Sequence, residues 1–157
     1  MDETGEEIGL RPPAPRSMEL SAMFDGSEVI AEARRLARSF LNEVQGVYGL
    51  RVSERALSVV ELIVSELFTN TRKYAPGPCR ITLRVHDGCV EVSIWDSNPN
   101  PPAILPADPL RIGQHGLEIV VAASRSFHIR PEHAGKRITA SIALDDDPDP
   151  DLASRRH

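Results

Sequence analysis

The chain has 157 residues, a net charge of −5 and a pI near 5.5. That length favours one domain, and the acidic balance argues against a generic nucleic-acid binder, which presents a basic surface. No apolar run approaches the about 18 residues of a membrane span, and the acidic N-terminus lacks the apolar core of a secretory signal, so a soluble, cytoplasmic protein is expected, with neither a membrane nor a nucleic-acid partner.

Residues 1–17 are acidic, carry Pro12, Pro13 and Pro15 and contain few large apolar side chains. Such a segment cannot bury enough surface to offset the entropy of ordering, which predicts a disordered tail. The acidic residues 145–157 predict a second tail, leaving a folded domain over about 18–144. Met18, Leu20, Ala22 and Phe24 alternate, which predicts a first strand over 18–24. Ser27, after Asp25-Gly26, is a candidate N-cap for a helix whose stripe is Val29, Ala33, Leu36, Ala37, Phe40, Leu41 and Val44, with Gly49 as a stop. Ser53 is positioned to cap a second helix carrying Leu57, Val60, Ile63, Val64 and Leu67, and Pro76-Gly77-Pro78 ends it.

Two alternating runs follow, Ile81/Leu83/Val85 and Val90/Val92/Ile94, joined by Asp87-Gly88. An Asp-Gly pair between such runs is a strong tight-hairpin signal. Around that turn Cys89 falls opposite His86 and Cys79 lies far down the other strand, so no disulfide is expected. The five histidines show no metal-ligand spacing with the cysteines, so no structural zinc is expected either. Residues 97–111 read as a long proline-rich loop, 115–123 as a short helix, and 125–130 and 136–144 as two more strands. The sum is an α+β two-layer sandwich, helices on one face of a mostly antiparallel mixed sheet.

Three places carry candidate chemistry. Glu66 and Asn70, four apart, share one helix face. Either they form a solvated helix end, or they are satisfied by a hydrated divalent cation and its phosphates, for which an amide oxygen is a hard ligand and a carboxylate can take a proton. Asp96 has the parity of Val90, Val92 and Ile94. It is either a turn residue or a semi-buried acceptor suited to the exocyclic amine of adenine. Gly113-Gln114-His115-Gly116 opens a helix, where glycine lets backbone approach a phosphate and free N–H groups face it. No Walker A loop occurs, and no dinucleotide-binding Gly-rich turn appears near the N-terminus.

In order, Val64-Ser65-Glu66-Leu67, Asn70, Ala75, Asp96 with the following prolines, Gly113-x-His115-Gly116-Leu117 and Gly135-Lys136 resemble the boxes of the histidine kinase-like (GHKL) ATPase superfamily. More narrowly, the chain looks like the single-domain anti-sigma factor serine-protein kinases of actinobacteria, over about residues 18–144. The resemblance implies the Bergerat-type ATP-binding fold, with ATP and Mg²⁺ as cofactors. It implies Glu66 as general base, Asn70 as the Mg²⁺ ligand, Lys73 near the phosphates and Asp96 on adenine. Gly113, His115, Gly116 and Leu117 match the end of a lid and the helix start at the phosphates. Lys136 matches a residue of the last box, and Lys73 or Lys136 would stabilise the transferring phosphoryl group. Arg137 stands where that box often has Thr, with Thr139 on the same strand face. Tyr74 stands where His is usual, and Asp96 is followed by Ser-Asn-Pro-Asn-Pro-Pro rather than by Gly-x-Gly.

The implied activity is phosphorylation of an anti-sigma-factor antagonist in a partner-switching system. A sigma factor and the antagonist are the implied partners, and homodimers are common in this type. The alternative is a non-catalytic binding module that sequesters one of those partners with weak or structural nucleotide binding.

Overall fold

A computed structural model describes residues 18–25, 30–98 and 116–145. The elements run β1 (Met18–Phe24), α1 (Ile30–Gly46), α2 (Glu54–Tyr74), β2 (Cys79–His86), β3 (Cys89–Asp96), α3 (Gly116–Ala123), β4 (Ser126–Glu132) and β5 (Gly135–Ala143). The strands form one sheet in the order β1-β2-β3-β5-β4. Each neighbouring pair is antiparallel, so the parallel element of the expected mixed sheet is missing among the described strands.

Strand period explains the two layers. Ile81, Leu83, Val85, Val90, Val92, Ile94, Ile138, Ala140 and Ile142 are buried and join Val60, Ile63, Val64, Leu67 and Phe68 of α2 in one core. The alternate residues turn away from the helices. Arg80, Arg84, Glu91, Ser93, Arg137 and Thr139 line a polar depression of about 500 Å³ on that outer face. A sheet covered on one face alternates apolar and polar residues in this way. In the β2–β3 hairpin, Asp87 and Gly88 both have positive φ, 52° and 76°, and His86 pairs with Cys89. Two consecutive positive φ values make a type I′ turn, whose twist matches the strands. No disulfide joins Cys79 and Cys89.

The direction of α2 places the site. Ser53 caps it as expected, its Oγ accepting from the Ala56 amide at 2.9 Å. The Ser53 amide donates to the Leu144 carbonyl at 2.9 Å, which pins the start of α2 beside the end of β5. From there 21 residues of helix rise about 30 Å at ~1.5 Å each, slightly more than the length of an eight-residue strand. The last turn of α2 therefore lies over the opposite end of the sheet. The Phe68 and Phe24 rings meet edge to face at 5.3 Å. Phe24 pairs with Cys79, Cys79 with Asp96, and Asp96 with Lys136.

Ser27 lies outside the described residues, as do both tails except Asp145, which is 3.5 Å from Arg51. Of the proline-rich segment, only Ser97 and Asn98 are described.

Candidate nucleotide site

Asp96 ends β3 on its inward face and is 1% exposed. It serves as both a turn residue and a buried acceptor. Its Oδ1 accepts from the Asn98 amide at 2.9 Å, an Asx-type turn, and from Lys136 Nζ at 2.9 Å. Lys136 is its register partner on β5 and is buried as well. The same ammonium donates to the Asn98 carbonyl at 3.0 Å. A buried ion pair recovers its desolvation cost only with good geometry and further hydrogen bonds, and Asn98 supplies them. Gly135 allows the strands to close there: a Cβ on it would lie 2.0 Å from the Asp96 carbonyl oxygen.

The last turns of α2 carry the other half. Glu66 and Asn70 are half-buried on one face of the helix, and neither side chain makes a hydrogen bond or ion pair among the described residues. Gly116 begins α3 directly against Glu66, so close that a Cβ on Gly116 would stand 3.0 Å from Glu66 Oε1. Free N–H groups at a helix start favour negative charge nearby. Leu117 turns its side chain into the core, so only its main chain can face a ligand. Among the described residues no group of three His, Cys, Asp or Glu could hold a metal. A cation here would rest on the Asn70 amide oxygen, water and ligand oxygens. Mg²⁺, which keeps waters and takes substrate phosphates, fits that donor set.

Not every expected site residue joins this cluster. Gly113 and His115 lie outside the described residues. Lys73 is exposed, its ammonium 5.4 Å over the Tyr74 ring. Lys136 lies with Asp96 at the sheet end, its ammonium held on Asp96 Oδ1. The expectation for Arg137 needs correction, because it lies on the outer face with Thr139. Its Nε donates to Glu132 at 2.8 Å and its NH1 to Ser93 Oγ at 3.0 Å. Strand parity is the cause: if Lys136 faces the helices, its neighbour must face away.

Two residues escaped sequence reasoning. Thr71 is 1% exposed and its Oγ1 has no hydrogen-bond partner among the described residues. Its spacing from Leu67 and Phe68 already placed it inward. Gly135 stands in the last box of the resemblance, but nothing in the sequence shows how closely the strands approach there.

The model of the histidine kinase-like ATPase domain matches residues 28–142. The chain belongs to this family, whose ligand class is ATP. Among solved structures, the chain is similar to the RsbU and RsbW domains of Rv1364c from Mycobacterium tuberculosis, with 17% identity, a TM-score of 0.58 and coverage of 81% of this chain. It spans 32% of that longer chain. It is also similar to the catalytic domain of histidine kinase ThkA, at 18% identity, TM-score 0.46, 80% of this chain and 96% of that one. The Acinetobacter baumannii histidine kinase AdeS gives 16% identity, TM-score 0.45, 81% of this chain and 68% of that one. No curated protein matched. No helix among the described residues is long and apolar enough to cross a membrane.

Proposed function

We propose that the chain binds Mg-ATP between α2 and the β3–β5 end of the sheet and transfers the terminal phosphoryl group to a serine or threonine hydroxyl of a partner protein. The observation that carries this is the buried Asp96, an acceptor at the sheet end over which the open Glu66–Asn70 face closes. Asp96 accepts the exocyclic amine of adenine. Glu66 takes the proton of the attacking hydroxyl, and Asn70 holds Mg²⁺. Bound there, Mg²⁺ would neutralise phosphate charge. The α3 N-terminus at Gly116, and Lys73 after a rotamer change, face the transferring group. Transfers of this kind depend mostly on positioning and electrostatics. The likeness to a structure containing an RsbW domain supports a regulatory partner, which we take to be an anti-sigma-factor antagonist, with a sigma factor as the sequestered protein. Pairing of two copies and a cytoplasmic location belong to the same proposal.

A second reading is favoured by one contact. The Asp96–Lys136 pair satisfies the acid with no base present, as a module that holds its partner without phosphoryl transfer would allow. Calorimetric titration with Mg-ATP, then incubation with labelled ATP and a candidate antagonist, separates the two. Under the kinase proposal, Asp96→Asn weakens ATP binding by about tenfold or more and Glu66→Ala abolishes transfer. Equal ATP and GTP affinity would count against the adenine assignment. ATP binding without transfer, unchanged in Glu66→Ala, would select the module.

A further inference from the structure

The base end of the site holds one acceptor and one donor that the described residues leave unused. Both hydrogen bonds to Asp96 fall on Oδ1, one from Lys136 Nζ and one from the Asn98 amide, so Oδ2 remains to accept. An ammonium has three protons. Lys136 commits two of them, to Asp96 Oδ1 at 2.9 Å and to the Asn98 carbonyl at 3.0 Å. The third has no acceptor among the described residues. The two side chains are 2% and 6% exposed, so water offers little compensation. Unmet hydrogen-bonding capacity is costly in such a place and marks where a ligand group would be received.

We propose that Lys136 is a second base-reading residue, its third N–H donating to the ring nitrogen beside the exocyclic amine while Asp96 Oδ2 accepts from that amine. This rests on the nucleotide assignment made above and adds the edge of the base that is read. An exocyclic amine and the adjacent ring nitrogen present a donor next to an acceptor. Oδ2 and the spare N–H present the complement, on register-paired residues that face the same way. The ammonium strengthens the contact to the ring nitrogen, because charged donors make the stronger hydrogen bonds. It also offsets the charge of the acid, so the apolar ring docks against a neutral pair. A base with a carbonyl in place of the amine sets oxygen against Oδ2 and a ring N–H against the ammonium, and both contacts repel. The phosphates are the wrong end for Lys136, whose head is tethered to Asp96 and Asn98 beneath the helix layer.

The test compares Mg-ATP with its 1-deaza and 7-deaza analogues by calorimetry. The first keeps the amine but replaces the neighbouring ring nitrogen with C–H. The second alters the ring nitrogen on the other flank of the amine. Wild type is expected to bind 1-deaza-ATP about tenfold more weakly than ATP and 7-deaza-ATP as well as ATP. Lys136→Met is expected to bind ATP and 1-deaza-ATP alike. Should that variant not fold, the wild-type comparison alone decides. Equal affinity of wild type for ATP and 1-deaza-ATP overturns the role of Lys136 and leaves the nucleotide site standing. A loss with the 7-deaza analogue instead overturns it too, as does tighter binding of GTP than of ATP. No binding of ATP by wild type overturns the nucleotide site itself.

Discussion

The two ends of the site are built on opposite plans. The base end is preassembled: Asp96 and Lys136 are buried, register-paired and tied to Asn98. Gly135 brings the strand backbones together beside them. The phosphate end is open, with Glu66 and Asn70 half-buried and unpartnered among the described residues and Lys73 exposed. A neutral ring can be recognised by a preset donor–acceptor pair, whereas charged phosphates and their cation bring their own strong partners. Under the proposed function, one end therefore serves the fold as well as the ligand, while the other serves the ligand alone. Substitutions should divide the same way, costing stability at the first end and only function at the second.

The harshest test of that division is Gly135→Ala. The added methyl would meet the Asp96 carbonyl oxygen at 2.0 Å, and Trp95 Nε1 at 2.9 Å, and backbone cannot move aside as a side chain can. A loss on the order of 4 kcal/mol is expected in urea denaturation, with nucleotide binding gone. A loss below about 1 kcal/mol would mean the strands separate there readily and the base end is not rigid.

Asp96→Asn against Asn70→Ala sharpens the contrast. Asn at 96 leaves the buried ammonium of Lys136 without its counter-charge, for which a loss of about 3 kcal/mol is expected. Asn70→Ala removes a side chain that holds nothing among the described residues, and Ala is the better helix former. Its stability should be unchanged or higher by a few tenths of a kcal/mol, while Mg-dependent ATP affinity falls. Thermal denaturation and calorimetry on both variants check this, and equal destabilisation would erase the distinction. Glu66→Gln should likewise leave the melting curve in place while phosphoryl transfer is lost.

The same contrast governs what could be read from the amino-acid order. α2, its Ser53 cap, the Asp87-Gly88 turn and the inward parity of Asp96 are local, set by helical and strand periods, and all were legible. The partner of Asp96 was not, because Lys136 is 40 residues away and reaches it only when β5 lands beside β3 in one register. The face of Arg137 was misjudged for a related reason. The resemblance implied both Lys136 and Arg137, but adjacent residues of a strand face opposite ways, and only the observed strand pairing shows that Arg137 is the one turned outward. Glu66 against Gly116 shows the same limit, since neither residue reveals how closely α2 and α3 approach.

The smallest effects come from local defects in the elements that frame the site. Thr71 buries a hydroxyl with no hydrogen-bond partner among the described residues, so the near-isosteric Thr71→Val should raise stability by about 1 kcal/mol. Ala134 has φ 61° in the turn that delivers Gly135 and Lys136 to the sheet. That conformation costs a residue with a Cβ about 1–2 kcal/mol, against about 0.5–1 kcal/mol of extra entropy lost by glycine. Ala134→Gly should therefore gain about 0.5 kcal/mol, a rise of a few degrees in melting temperature for a domain of this size. Its value lies in what should stay fixed. If the β3–β5 pairing rather than the turn holds Lys136 against Asp96, relaxing the turn leaves ATP affinity and the preference over 1-deaza-ATP untouched. A gain in stability accompanied by weaker discrimination would show instead that strain at Ala134 aims the ammonium, and that the base end owes its precision to the turn.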